Sequence, residues 1–147
     1  MKMTRGEVRV FFAKLEATLN SEAELGFDII YALNKTKNKV KPIAEEANEM
    51  LISLQKAERQ LAVKFCERDK DDKPIIRDDK YIGLETGRNT EYDEKIEDLI
   101  DKRVKYFKEE VEISIHHIER KIVPKKEKAS ILELLCHFIE ENNEPEG

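Results

Sequence analysis

The stretch VKPIAEEANEMLISLQKAERQLAVKF, residues 40–65, decides the fold. Its apolar residues Val40, Ile43, Ala47, Met50, Leu54, Ala57 and Leu61 recur in alternating steps of three and four, and Phe65 closes the series. Such steps put every member on one helix face, in the manner of a coiled-coil seam. Upstream, Leu25, Ile29 and Leu33 begin the same stripe. Ser21-Glu22-Ala23-Glu24 has the spacing of a capping box, so the helix is expected to start there. Pro42 has no N–H and crowds the carbonyl four residues back, which predicts a kink or a break near residues 38–42. Unbroken, a helix over 22–67 would run for about 70 Å.

Working outward, Thr4 followed by Glu7 is a second capping box, and Val8, Phe11, Phe12, Leu15 and Leu19 follow it at helical spacing. Beyond the seam, CERDKDDKP loses all apolar periodicity. In PIIRDDKYI, the apolar residues Ile75, Ile76, Tyr81 and Ile82 flank Asp78-Asp79, which predicts a short β-hairpin or ordered loop at about 69–88. Asn89 or Thr90 can cap a third helix with the stripe Tyr92, Ile96, Leu99, Val104, Phe107 and Val111. Over 110–118 two templates compete. Ile115, Ile118 and Ile122 extend the helix, whereas Val111, Ile113 and Ile115 alternate as a β-branched strand would. A last helix is expected from about Lys126 to Glu141. The fold class is therefore mainly α: a long antiparallel helical hairpin or small bundle, forming one helical domain over 1–141 with a flexible tail at 142–147.

Composition narrows the function. Of 147 residues, 40% are charged and 39% hydrophobic, with five Gly and four Pro, which favours long solvated helices over an α/β core. The net charge of −5 argues against a general nucleic-acid binder. Two cysteines, Cys66 and Cys136, make no disulfide framework and fit a reducing setting. Both are expected to be buried, inert thiols. The N-terminus MKMTRGEVRVFF has no apolar h-region, and no run of about 18 apolar residues occurs, so neither a signal peptide nor a membrane span is expected.

Four stretches could carry chemistry. In HHIERK, residues 116–121, a helix would set Glu112, His116 and Glu119 on neighbouring turns, but zinc wants three or four ligands and the third histidine, His137, is remote. A strand would send His116 and His117 to opposite faces. The better reading has His116 at a core edge, its ring hydrogen-bonded, and His117 solvated. DKDD, residues 69–72, begins like a calcium loop, yet Lys73 and Pro74 occupy the positions that need an oxygen ligand and Gly; a solvated charged turn is expected. Lys35, Lys37, Lys39 and Lys41 form a basic comb without interleaved aromatics. Spaced by two, these lysines spray around a helix, and a solvated face is preferred to a phosphate-contacting patch. No GxSxG, P-loop or Rossmann fingerprint appears. No catalytic, cofactor-binding or metal-ligating residue is assigned, and an enzyme is not expected.

GEV leading into an amphipathic helix, a long helix with Ala-Glu-Glu, an acidic turn around DDKPI and the tail EEVEISIHHIERKIVP…LELLCHFIEE together resemble a family of small tailed-phage and prophage proteins, from Gly6 to Glu141. The resemblance implies a phage setting and a strand at EVEISI, and it carries over no functional residue. Helix, hairpin and helix in antiparallel array also look like a β-type prefoldin subunit, whose hairpin builds a β platform and whose helical tips hold unfolded clients.

The expectation is a non-enzymatic protein–protein interaction protein, a phage-encoded accessory or assembly factor or an inhibitor of a host process. The alternative is a prefoldin-like coiled-coil chaperone subunit. The partner is expected to be a phage or host protein or a second copy of the chain, not nucleic acid or membrane, in the host cytoplasm or virion. The expected interaction face is Val40, Ile43, Met50, Leu54, Leu61, Phe65, Ile96, Leu99 and Phe107.

Overall fold

The computed structural model of the chain describes residues 1–139. The expected tail at 142–147, and the Glu140–Glu141 end of the expected last helix, lie outside the described residues. The chain is mainly helical, with two small antiparallel sheets. The described residues form two compact units: Met1–Glu46 together with 110–139, and Ala47–Glu109.

In the first unit, β1 (Lys2–Thr4) leads directly into α1 (Arg5–Leu19). The expected capping box is present. Thr4 Oγ1 accepts from the Glu7 N–H at 3.1 Å, and the Thr4 N–H donates to the Glu7 carboxylate at 3.2 Å. Thr4 is also the last residue of β1, which pairs antiparallel with β4 (Glu110–Glu112) in the register Lys2↔Glu112, Met3↔Val111, Thr4↔Glu110. The Ile113 N–H continues the ladder to the Met1 carbonyl at 2.7 Å. This decides the contest over 110–118 for extended chain. Ile113 turns into the core at 3% exposure while its neighbours Glu112 and Ser114 face solvent.

The second helix, α2, is Phe27–Phe65. Its expected start at Ser21 is corrected: Ser21 Oγ donates to the Thr18 carbonyl at 2.7 Å and accepts from the Ala23 N–H at 3.3 Å. That is a tight serine turn at the end of α1, not an N-cap, because residues 22–26 beyond it are not helical and α2 begins only at Phe27. The expected break at Pro42 is also absent, for α2 passes through it. Asn38 and Pro42 both lie on the solvent side, so the carbonyl that loses its helical donor is open to water. At the standard rise the 39 residues span about 58 Å.

The first-unit core joins Val8, Phe11 and Leu15 of α1 to Ile29, Leu33, Val40 and Ala44 of α2, with Ile113 and Ile118. Helix α4 (Ala129–Cys136) closes it with Ile131, Leu134 and Leu135, and Phe138 just beyond stacks on Phe11 at 6.1 Å. Helix α4 begins at Ala129, three residues later than expected. Ile118 is tied to the end of α4 through its N–H, which donates to the Phe138 carbonyl at 2.8 Å.

In the second unit, α2 ends and the chain returns through a hairpin into α3 (Thr90–Lys108). Asp69 Oδ1 accepts from the Asp71 and Lys73 N–H groups at 2.9 and 3.0 Å, so DKDD is a turn closed by its own first residue. Strands β2 (Ile76–Arg77) and β3 (Lys80–Tyr81) then pair antiparallel, joined by Asp78 and Asp79 at φ 50° and 60°. Two left-handed residues in a two-residue loop make a type I′ turn, whose twist matches the strands. Gly83, at φ +92°, is required: a Cβ there would meet Glu67 Cγ at 2.7 Å. Asn89, one of the two expected caps, accepts from the Tyr92 N–H at 3.1 Å and starts α3.

Replacing Pro42 by Ala restores the missing donor without touching the core. We expect Pro42→Ala to raise stability by about 1–3 kcal/mol, read from the midpoint of urea unfolding; a loss of stability would mean that Pro42 is needed for the path of α2.

Candidate interaction face

The second unit pairs residues 47–65 of α2 with α3, antiparallel. Near the turn, Asn89 Nδ2 donates to the Phe65 carbonyl at 3.5 Å, and the Phe65 and Tyr92 rings lie 6.2 Å apart. Lys95 sets its ammonium 5.6 Å from the Phe65 ring centre. Two turns further along α3, Arg103 Nη1 meets the Glu58 carboxylate at 3.3 Å. Each of these contacts ties one side of α3 to α2.

The nine expected face residues divide. Val40 is sealed in the first-unit core, and Ile43 packs against that core half-buried. Both are removed from the face, because the upstream half of the stripe is covered within the first unit. Met50 is exposed. Leu54, Leu61 and Phe65 on α2, with Ile96, Leu99 and Phe107 on α3, are half-buried in the second unit. No residue of α3 is fully buried.

Sequence reasoning left Ile100 and Val104 off the face. Both are exposed, at 46% and 43%, and with Ile96 they recur every fourth residue along α3. They wall an open groove of about 730 Å³ whose other side is Gln55, Glu58, Arg59 and Ala62 of α2, with Tyr81 and Tyr92 at the hairpin end. The signal was present as the spacing of four: Ile96 and Val104 stand in the stripe read for α3, and Ile100 was passed over because its neighbour Leu99 fills the same turn of that stripe. Burying an exposed aliphatic side chain fully is worth about 1.5–3 kcal/mol, and Ile100 and Val104, a little under half exposed, each have roughly half of that left to gain, so this flank would gain from a partner.

The other singled-out residues are dispersed. Glu112 meets the N-terminal ammonium at 3.1 Å and Glu119 meets Lys121 at 2.9 Å, so neither carboxylate is turned to the histidines. His117 is exposed. His116 is half-buried, but its expected ring hydrogen bond is replaced: its backbone N–H donates to Thr36 Oγ1 at 3.0 Å, and the ring packs edge-on to Tyr31 at 5.1 Å. Among the described residues no three His, Cys, Asp or Glu side chains come together as a metal cage. Cys66 is buried and its thiol donates to the Val63 carbonyl at 3.4 Å, whereas Cys136, expected to be buried, is exposed at the end of α4. The basic comb proves partly ordered. Lys35 lies 5.6 Å from the Tyr31 ring centre, Lys39 reaches Ser114 Oγ at 3.3 Å, and Phe27, 78% exposed, stacks on Tyr31 at 6.1 Å. Two aromatics thus precede the lysines on one stripe, 27-31-35-39, and none is interleaved with the comb.

Comparison of the chain with protein families, curated proteins and solved structures finds no match. Among the described residues no helix is long and apolar enough to cross a membrane.

Two outcomes follow from these placements. Thr36 is fully buried, and Thr36→Val leaves the His116 N–H without its acceptor. We expect a loss of about 1–3 kcal/mol in urea unfolding, against no more than about 0.5 kcal/mol for His117→Ala. Tyr92 has its phenol pushed above the ordinary 10.0 by burial, and further by the Glu58 and Asp93 carboxylates. A phenol raised on folding favours the folded state below its unfolded pKa and loses that contribution as pH climbs toward the folded value. Stability should therefore fall above pH 10.0, and Tyr92→Phe should lessen that fall; equal alkaline slopes for variant and parent would contradict it.

Proposed function

We propose that the protein works by protein–protein association, with another protein or a second copy of itself, and not by catalysis, as a phage-encoded accessory or assembly factor or an inhibitor of a host process. The binding surface is the apolar flank of the α2–α3 pair. One observation carries this reading: α3 has no fully buried residue, while Ile100 and Val104 stand exposed beside Ile96 on the wall of a groove. Two helices can bury only the faces they turn to each other, and an apolar flank left over is the usual seat of a third or fourth helix. The groove chemistry supports binding too. Its α3 wall is aliphatic and its hairpin end tyrosyl, its α2 wall carries Gln55 and Arg59, and Arg103 and Glu58 are engaged with each other. The phage setting rests on the resemblance of sequence texture, and it would put the protein in the host cytoplasm or the virion.

The prefoldin-like alternative draws on the short β2–β3 hairpin between antiparallel helices. It differs in its client, which would be unfolded chain instead of a folded partner.

A photo-reactive amino acid at Ile100 tests the proposal. In cells producing the protein, irradiation should give discrete protein adducts that Val104→Glu suppresses. The same probe at Glu45, exposed in the first unit, should give none. No adducts at Ile100, or equal adducts at both positions, would sink the proposal. Suppression of aggregation of an unfolded client, lost with Val104→Glu, would move it to the chaperone reading.

A further inference from the structure

We propose that the occupant of this flank is a second copy of the chain, laid antiparallel along α3 about a two-fold axis near Ile100. The inference rests on the flank being a protein-binding surface and names what fills it. The argument is the charge order of α3. From Thr90 to Ile100 the helix carries the acids Glu91, Asp93, Glu94, Glu97 and Asp98 against Lys95 alone. From Asp101 to Lys108 it carries Lys102, Arg103, Lys105 and Lys108 against Asp101 alone. Part of this charge is spent within the unit, in Glu91–Lys95, Asp98–Lys102 and Glu58–Arg103, and in the Asp93 carboxylate, which accepts from the Gly87 N–H at 2.8 Å. What remains lies on the side of α3 that borders the Ile96–Ile100–Val104 row. Read along that side, Glu94, Glu97 and Asp101 are followed by Lys105 and Lys108, at helical steps of three, four, four and three.

An acid-to-base gradient of this kind complements itself only when a second helix runs the other way. Ile100 is one position past the middle of α3. An antiparallel copy centred there faces Ile96 with Val104 and meets Ile100 with its twin. Although it sets Asp101 nearest its own twin, the same register brings Glu97 beside the copy's Lys105 and Glu94 toward its Lys108. Both pairs occur twice, as a two-fold requires. A parallel copy would set acid against acid and base against base. Apolar residues at the centre with opposite charges at the flanks are also how paired helices select their orientation.

The test is a charge exchange in the full-length chain, followed by sedimentation at low ionic strength. Glu97 and Lys105 are both exposed, so substitution there leaves the fold intact. Glu97→Lys sets lysine against lysine in a self-pair, and Lys105→Glu sets glutamate against glutamate. Each variant alone should self-associate roughly tenfold more weakly than the parent, the scale of two surface pairs turned from attraction to repulsion. Mixed one to one, the two should regain the parent's association, because both pairs are then opposite in sign. High salt should narrow all these differences. A parent chain that stays monomeric, variants that associate as the parent does, or a mixture that fails to recover would overturn the inference. Adducts from Ile100 to a different protein, with a monomeric parent, would overturn it while leaving the binding role of the flank in place; absence of any adduct would remove both.

Discussion

Ile29, Leu33, Thr36, Val40 and Ala44 line one face of α2 and are sealed from water. The first unit is built on that seal. Helix α1 offers Val8, Phe11 and Leu15 to it and α4 offers Leu134 and Leu135, so three helices share one apolar interior. Thr36 is the polar member of the face. Burying its hydroxyl without a partner would be costly, and the partner it has is the backbone of His116. One hydrogen bond therefore pins the extended 110–118 segment, by way of its end, to the first third of the long helix.

The same helix meets a different fate downstream. In the second unit Leu54, Ala57, Leu61 and Phe65 find only α3 beside them and stay half-buried. The contacts that orient α3 are polar or aromatic ones at its edges: Glu58 with Arg103, and Phe65 with Tyr92 and Lys95. A surface ion pair of this kind is worth about 0–1 kcal/mol, less than the burial of one aliphatic side chain. The thinness of this pairing makes the apolar flank at Ile100 matter, since any molecule covering it adds burial that the chain does not supply for itself.

The connection between the two helices is built from acids in unusual backbone states. Asp72, Asp78 and Asp79 all have positive φ, a conformation that Asp tolerates because its short side chain can bond locally. Crowded charge that looks like disorder in the sequence is thus ordered turn chemistry, held at Gly83 by the approach of Glu67.

What the sequence by itself determined was local. Thr4 with Glu7, and Asn89 ahead of Tyr92, name their helix starts because a cap is a bond between residues three apart. The 40–65 stripe names a helix face, and the apolar pairs around Asp78-Asp79 name a hairpin, for the same reason. Ser21 shows the limit of that reading, since a hydroxyl spaced to cap a helix can equally close a turn that no helix follows. Only the tertiary structure decided what covers each face. Val40 and Leu54 belong to one stripe, yet one is sealed in a core and the other half-buried, because periodicity gives the direction of a side chain and not its neighbour. Only the pairing of residues 2–4 with 110–112 made EVE, the first half of EVEISI, a strand; its partner edge lies more than a hundred positions away, and a ladder between such distant segments leaves no mark in the spacing of either one.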